Sequence, residues 1–588
     1  MLRPTLLEVQ AKNPMRPDGK TWLLVLVVVA LLGLFFFYPI FNVFKSALWE
    51  STGPTLHYVR NLLASATVRE GFVNALYLAI LSTVLASVLA VPLAYVQART
   101  AFWGQRFFAA GVLVPMILPP FVGAIGLKQI LGPYGALNAA LVGLGLMDRA
   151  EAVDWFRVYP LAGIVILQAL HLYPILYLNL VAGLANVDPS LEDAARSAGA
   201  GPWRVFRRVT FPLVLPAYFA GAVIVFIWAL TDLGTPLMFG FRQVIAVQIF
   251  ERVNEPSSPD ANALVVILLV VVVLVYWAAR ATLGREAFGM MSVATRPAAP
   301  QPLGRRGTLG AWLLSGGVMA LALLPHVAVI LFSLKTEWQF TVLPSGLTLE
   351  HHRAALSERW TVPSIWNSVI YSAGAVAISL LVAVWVGYVL ARKKFIGRGL
   401  LDALVMLPLA MPGIVLAFGY LNCYAGWGDW LVSKGLWAQN YLYPQTNPVA
   451  LLIIAYAVRR LPLAVRSSVA GFQQTSRTLE EAALSVGAGP VRTLRRITVP
   501  LIAANLAAGA ILVFALSMLE VSDSLILAQE DAFNPITRTI WRIYSSEYAV
   551  TSEATAAALG VWAMVFLAAT LAGASALMGK RLGAIFRA

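Results

Sequence analysis

Two 23-residue segments set 288 residues apart constrain this chain more than anything else in it. Leu191 to Leu213 reads LEDAARSAGAGPWRVFRRVTFPL and Leu479 to Leu501 reads LEEAALSVGAGPVRTLRRITVPL, with 15 of the 23 positions identical. Chance does not supply that, so the chain is a tandem duplication. Both copies are basic and helix-forming, and both lie between long apolar runs. Any fold must therefore place two equivalent polar loops between buried spans, and a soluble element docking there twice is the simplest reason to keep both.

The runs themselves identify the class. Charged residues make up 12% of the chain and hydrophobic residues 59%, against about a quarter charged in a soluble domain. The expected fold is an all-α polytopic membrane protein rather than a soluble multidomain enzyme. Apolar stretches of roughly 20 residues, enough to cross a bilayer, fall near 22–41, 71–97, 107–131, 159–184, 213–236 and 262–280. A second set falls near 311–334, 367–391, 400–422, 447–470, 501–522 and 554–578. The first run follows Lys12, Arg16 and Lys20, is too long for a signal-peptide core and lacks a small-residue cleavage site, so it reads as an uncleaved span. With the single cysteine, Cys423, no intrachain disulfide can form.

Six spans plus six put both termini on one side. With that side cytoplasmic, 26 of the 43 Lys and Arg residues lie in inside segments and 13 in outside ones, the two-to-one bias of the positive-inside rule. The net charge of +15 therefore faces the cytoplasm and its anionic lipid, and nucleic acid is a poor explanation for it. Asn74, Arg99, Pro115 and Pro119 correspond to Asn367, Arg392, Pro408 and Pro412 at an offset of 293, so the duplication extends beyond the loop. The expected organisation is a first half over 1–284 with its loop at 188–212, a linker over 285–310, and a second half over 311–588 with its loop at 476–500. Six spans per half make the repeats parallel, related by a pseudo-twofold axis along the membrane normal, with a pathway between them.

Within each loop the spacing predicts a helix, a sharp turn and a second helix. Ser190-x-x-Asp193 and Thr478-x-x-Glu481 are capping-box patterns. Small pairs follow, Ala194-Ala195 and Ala482-Ala483, and then Gly199 and Gly487, suited to a left-handed helix stop. Pro202 and Pro490 fit the first turn of the next helix, Arg204, Arg207, Arg208, Arg492, Arg495 and Arg496 share a flank, and Pro212 and Pro500 open the following spans.

The pattern acid-Ala-Ala-x3-Gly-x9-aliphatic-x-x-Pro resembles the EAA loop of ABC importer permeases. It reads Asp193, Ala194, Ala195, Gly199, Val209, Pro212 in one copy and Glu481, Ala482, Ala483, Gly487, Ile497, Pro500 in the other. The first copy departs in having Asp for Glu, and Phe211 where Leu is common. The flanking spans also fit the permease core, so the resemblance covers essentially the whole chain. It implies a bacterial inner-membrane location and a coupling helix in each loop, including the neighbouring acids Glu192 and Glu480, seated in a cytoplasmic ATPase subunit. It implies two ATPase copies per chain, with ATP and Mg bound on those partners, and a periplasmic or surface-anchored protein delivering substrate. The chain has no G-x-x-x-x-G-K-[ST] phosphate loop, so ATP hydrolysis would belong to another polypeptide and no cofactor is expected on this one.

Fused twelve-span permeases of this kind resemble ferric-iron importers, with thiamine, phosphonate and polyamine importers close behind. Charged residues inside spans are default candidates for the path. Asp232 and Glu520 each lie 20 residues past the loop proline, roughly 30 Å of helix, and Asp523 follows one turn later. Carboxylates there suit a hard cation, or they accept hydrogen bonds at helix ends or pair with arginine. His171 and Tyr173 are matched by Arg459, Arg460 and Leu461. Arginines suit an anionic substrate, or form an ion pair with a neighbouring helix. Pro115, Pro119, Pro120, Pro408 and Pro412 interrupt equivalent spans, as pathway-lining broken helices or as packing kinks. Trp22, Trp49, Trp103, Trp312 and Trp366 near span ends read as an interfacial belt. His351-His352 lies in an outside loop without a ligand set. Two other classes stay open, a gradient-driven secondary transporter and a membrane scaffold or receptor that binds a soluble partner without transport.

Overall fold

A computed structural model of the chain describes residues 19–116, 119–253, 255, 258–287, 300–437, 439–444, 446–546 and 549–578. Almost all regular structure there is helical, and strand is confined to two-residue pieces. Among the described residues eight helices are long and apolar enough to cross a membrane, and eleven if each of three bent pairs counts as one span. The helix Val449–Gln474, with 26 residues, is also long enough. Every 18-residue stretch of it contains Arg459, Arg460 and Arg466, which sets it apart from the apolar eleven.

The bends have a chemical cause. Gln105–Met116 and Pro120–Gly143 meet at 95°, and Arg398–Ala410 and Gly413–Ser433 at 91°. A residue before proline is pushed out of the α region; Met411, before Pro412, has ψ 129° and ends its helix. Pro119 and Pro412 cap the following helices in matching conformations, φ −56°, ψ 128° and φ −59°, ψ 132°. A third bend, 74°, separates Val491–Leu501 from Ala503–Met518. The equivalent stretch of the first half, Pro202–Met238, runs as one span.

The described chain forms two compact units that do not follow the sequence halves. One holds residues 46–361 and 539–565; the other holds 19–45, 362–538 and 566–578. In the first unit the opening span of the second half, Arg305–Leu334, packs on Pro120–Leu131. Backbone passes backbone closely there: a Cβ on Gly126 would meet Pro325 O at 2.5 Å. In the second unit the opening span of the first half, Thr21–Leu48, is held by Tyr424, whose hydroxyl donates to Leu34 O at 2.6 Å, and packs Pro39 against Gly419. Each unit is thus completed by the first span of the other half.

The linker is shorter than its composition predicts. The helix Pro259–Ala287 runs into it from one side and Arg305–Leu334 begins inside it from the other. Between them Gln301–Pro302 pairs with Thr100–Ala101 in parallel, and 288–299 lie outside the described residues. Trp22, Trp49, Trp103, Trp312 and Trp366 are all exposed, as an interfacial belt requires. His351 Nε2 lies 3.0 Å from Lys335 O and His352 Nε2 lies 3.1 Å from Ser333 Oγ, so these neighbours have separate partners.

Candidate functional site: two loops and two in-span polar sets

Both repeated loops fold as helix, turn, helix. The first helices are Pro189–Ser197 and Arg477–Ser485. Their caps differ from the capping boxes expected at Ser190 and Thr478. The capping side chains sit two residues earlier, Asp188 accepting from Ser190 N at 2.9 Å and Ser476 from Thr478 N at 3.2 Å. The helix starts where the first oxygen can reach an orphan amide, and Pro189 at the first helical position favours that earlier start. Gly199 and Gly487 then take φ of +82° and +85°. Gly199 N donates to Arg196 O and Ala200 N to Ala195 O; Gly487 N and Ala488 N repeat this on Leu484 O and Ala483 O. This doubly bonded glycine stop is a Schellman motif in both copies.

The acids divide by helix face. Glu192 and Glu480 are buried, whereas Asp193 and Glu481 are exposed. Arg99, the last residue of the helix Ala66–Arg99, donates from Nη2 and Nε to Glu192 Oε1 at 2.9 and 3.1 Å, and Thr210 Oγ1 donates to the same oxygen at 2.8 Å. Arg392, ending Thr361–Arg392, binds Glu480 Oε1 at 3.0 and 3.1 Å and also donates to Thr475 O. The first acid of each loop therefore ties the loop helix to the end of a span. The second faces outward, with Ala194 and Ala482 beside it, while Ala195 is half-buried and Ala483 buried. Arg99 and Arg392 escaped the motif reading, although their match at one offset was the available signal.

The outer surface of each loop is apolar as well as basic. Trp203 and its equivalent Val491 are 70% and 69% exposed, and Val486 is 85% exposed. Arg204, Arg207, Arg208, Arg492, Arg495 and Arg496 are exposed around them. Exposed apolar residues rimmed by charge suit contact with a protein or a membrane surface. Pro202 and Pro490 each begin the second helix, which passes through a π-helical turn, Phe206–Thr210 or Leu494–Thr498. Phe211 N bonds Phe206 O and Val499 N bonds Leu494 O, five residues back. Pro212 and Pro500 follow, with no amide to restore the α-helical ladder.

The in-span polar residues fall into two sets, one per unit. Asp232 accepts from Gln168 Nε2 at 3.0 Å and from Thr235 N at 3.3 Å. Gln168 is itself fixed by Ser82 Oγ at 2.8 Å. Among the described residues no Lys, Arg or His lies within ion-pair distance of Asp232. His171 Nδ1 lies 3.1 Å from Pro115 O, and Tyr173 OH donates to Val112 O at 3.2 Å. Both therefore hold the backbone just before the break at Pro119.

In the other unit the expected acids and the expected arginines meet. Arg459 Nη1 is 2.6 Å from Glu520 Oε1 and 2.9 Å from Asp523 Oδ2, and Arg460 Nη2 is bonded to Glu520 Oε2 and to Leu516 O. Glu520, Asp523 and Arg460 are buried. Two cations and two anions leave the cluster neutral. Gly413 makes the room: a Cβ there would meet Arg459 Nη1 at 2.4 Å. Pro120 stands at that place in the first half and His171 at the place of Arg459, so the two halves differ at both positions of this contact. Among the described residues no group of three or more His, Cys, Asp or Glu side chains could hold a metal ion.

Comparison with known proteins bears on this geometry. A family model described as "Binding-protein-dependent transport system inner membrane component" matches residues 83–282 and 375–582, one match per half and each including a loop. The chain is 26% identical over 540 residues to the ferric transport system permease protein FbpB of Actinobacillus pleuropneumoniae, covering 90% of this chain and 74% of that one. It is 27% identical over 536 residues to the putative ferric transport system permease protein FbpB 1 of Haemophilus influenzae, covering 88% and 79%. A shorter match, 30% over 211 residues, links it to the molybdenum transport system permease protein ModB of Mycobacterium tuberculosis, covering 35% of this chain and 76% of that one.

Proposed function

The chain belongs to the binding-protein-dependent transport system inner membrane components, and from that premise we propose that it carries ferric iron inward by alternating access, driven by ATPase subunits on separate chains. As a member it is a multi-pass inner-membrane permease of an ABC importer. The observation that carries the mechanism is the twice-built loop. In each copy one acid anchors the helix to a span end, and the opposite face presents exposed apolar and basic residues. An ATPase seated on that face would move the helix, and the buried Arg99–Glu192 and Arg392–Glu480 pairs would pass the motion to the spans. Two such loops per chain accommodate two ATPase copies, with ATP and Mg on the partners. Both loops and both termini face the cytoplasm, in line with the distribution of Lys and Arg. A binding protein delivers substrate from the other side.

Iron as substrate is supported by the relatives that match most of this chain, whose names specify ferric transport. Within the chain, Asp232 is the path carboxylate we assign, because it alone of the three in-span acids has no arginine on it, and an oxygen ligand suits a hard cation. His171 and Tyr173 are assigned to the same path beside the Pro119 break. Import of a small anion is the competing reading, resting on Arg459 and Arg460 and on the molybdenum permease match. Glu520 and Asp523 already neutralise both arginines, so iron comes first.

The test is uptake of radiolabelled ferric iron by iron-starved cells with and without this gene, the ATPase and binding protein being intact and no second iron importer present. Loss of uptake is expected. Unchanged uptake would remove iron and move the search to small organic solutes.

A further inference from the structure

Lys393 follows directly on Arg392 at the end of a span, and it is only 8% exposed. Its neighbour Arg392 is spent on Glu480. Lys393 makes no side-chain hydrogen bond and no ion pair among the described residues. Its ammonium offers three donors that no protein group takes up among the described residues, so they are left to whatever enters the space beside it. It lines a cavity of about 350 Å³ whose walls are mostly apolar: Leu23 and Leu24 at the start of one span, Trp385 and Tyr388 near the end of another, and Leu494 of the second coupling loop. Arg477 also borders it, donating to Ala391 O, and the exposed carboxylate of Glu481 stands at the rim.

We propose that this cavity is a binding site for one anionic phospholipid, its phosphate on Lys393 Nζ and its upper acyl chain along Leu23, Leu24, Trp385 and Tyr388. Three features select that occupant over a soluble anion. Of the two cations on the cavity, Arg477 is already donating to Ala391 O and stands near the Glu480 and Glu481 carboxylates, which leaves the Lys393 ammonium for one phosphate group. The remaining wall is hydrocarbon and aromatic, which a soluble anion leaves unused. The site lies where spans end, the depth at which headgroups meet amphipathic side chains. The duplication makes it singular: the residue matching Lys393 is Thr100, which pairs with the linker strand, and the residue matching Arg477 is Pro189. One lipid per chain follows, beside the second coupling loop only. Because the cavity shares Glu480 with the Arg392 pair, the lipid braces the joint between that loop and its span. The assignment does not depend on which solute is transported.

The test uses the full-length chain purified in detergent, probed with phosphatidylglycerol, phosphatidylcholine and inorganic phosphate. Native mass spectrometry of the wild type should retain one phosphatidylglycerol and no matching phosphatidylcholine. Lys393→Met should bind it at least about tenfold more weakly, and Lys393→Arg should keep it. A second readout separates binding from misfolding. Without lipid, Lys393→Met should melt at or above the wild-type temperature, since it replaces an ammonium without a protein partner by an apolar group against a mostly apolar wall. Added phosphatidylglycerol should raise the melting temperature of the wild type only. Equal retention by wild type and Lys393→Met overturns the site. Displacement of the lipid by millimolar inorganic phosphate, or equal retention of phosphatidylcholine, overturns the assignment to an anionic lipid.

Discussion

The two units carry the same polar positions and use them differently. At the place 20 residues past the loop proline, one unit has Asp232, held by an amide and a backbone N–H, with no cation in ion-pair reach among the described residues. The other has Glu520, enclosed by Arg459 and Arg460 with Asp523 completing the balance. The loops, by contrast, have stayed alike down to the φ of the glycine and the arginine that holds the inner acid. Duplication leaves two copies of each device. Where both are still needed in one role, as at two equivalent docking loops, they remain matched. Where one suffices, the other becomes structure: the Glu520 cluster reads as a neutral brace between Val449–Gln474 and the helix end at Met518, and Asp232 as the acid still available for chemistry.

That contrast can be broken experimentally. The largest effect should come from the conserved devices. Nothing lies within 4 Å of a Cβ on Gly199 or Gly487, so Gly199→Glu with Gly487→Glu costs the fold only the left-handed backbone strain, about 1–2 kcal/mol per site. The protein should reach the membrane at near-normal amounts while transport falls to background, as membrane fractionation and uptake on the same cells would record. Wild-type uptake from the double variant would remove the coupling role.

Next in size is the brace. Glu520→Gln leaves the buried Arg460 and the partly buried Arg459 short of a counter-charge, and breaking such a pair costs about 3–5 kcal/mol. Thermal unfolding in detergent should show a large drop in melting temperature, partly restored when Arg460→Gln is added. No drop would mean that the cluster is solvated and open to substrate, which would restore Glu520 to the path.

A smaller difference should separate the two acids within each loop. Glu192→Gln and Glu480→Gln each weaken a buried charged hydrogen bond and should cost about 1–3 kcal/mol. Asp193→Asn and Glu481→Gln, at exposed positions, should stay within about 0.5 kcal/mol and act, if at all, through ATPase affinity. Melting temperatures of the four variants, beside ATPase pull-down, distinguish anchoring from contact. The smallest stability effect belongs to Asp232→Asn, under about 1 kcal/mol because its two donors can still be accepted. Iron uptake should nevertheless fall severalfold, and full uptake by that variant would dismiss Asp232 from the path.

Much of this was legible before any coordinates. The repeat, the glycine stops, and the prolines that open helices and break spans all follow from local chemistry, in which a residue type dictates its own backbone. What escaped was long-range. The motif marks two adjacent acids in each loop, and only packing decides that Glu192 turns inward toward Arg99, 93 residues away, while Asp193 faces out. The caps slipped to Asp188 and Ser476 because several oxygens compete for the same orphan amides. The meeting of Arg460 with Glu520 was hidden by 60 residues of separation, although opposite charges appearing together in one half only was a usable clue. The exchange of first spans between units has no local signature, since an apolar helix carries no address.

The most direct test of the central claim, that both loops seat ATPase subunits, uses the chain's own cysteine content. Cys423 is buried and the sole cysteine, so Trp203→Cys and Val491→Cys each add one accessible thiol at equivalent exposed positions. Reconstituted with the ATPase and treated with a short bifunctional cross-linker, each variant should join to the ATPase, one copy at each loop, and the yield should change when ATP is bound. If neither position cross-links in a complex that still transports, the loops are not the coupling elements and the account fails.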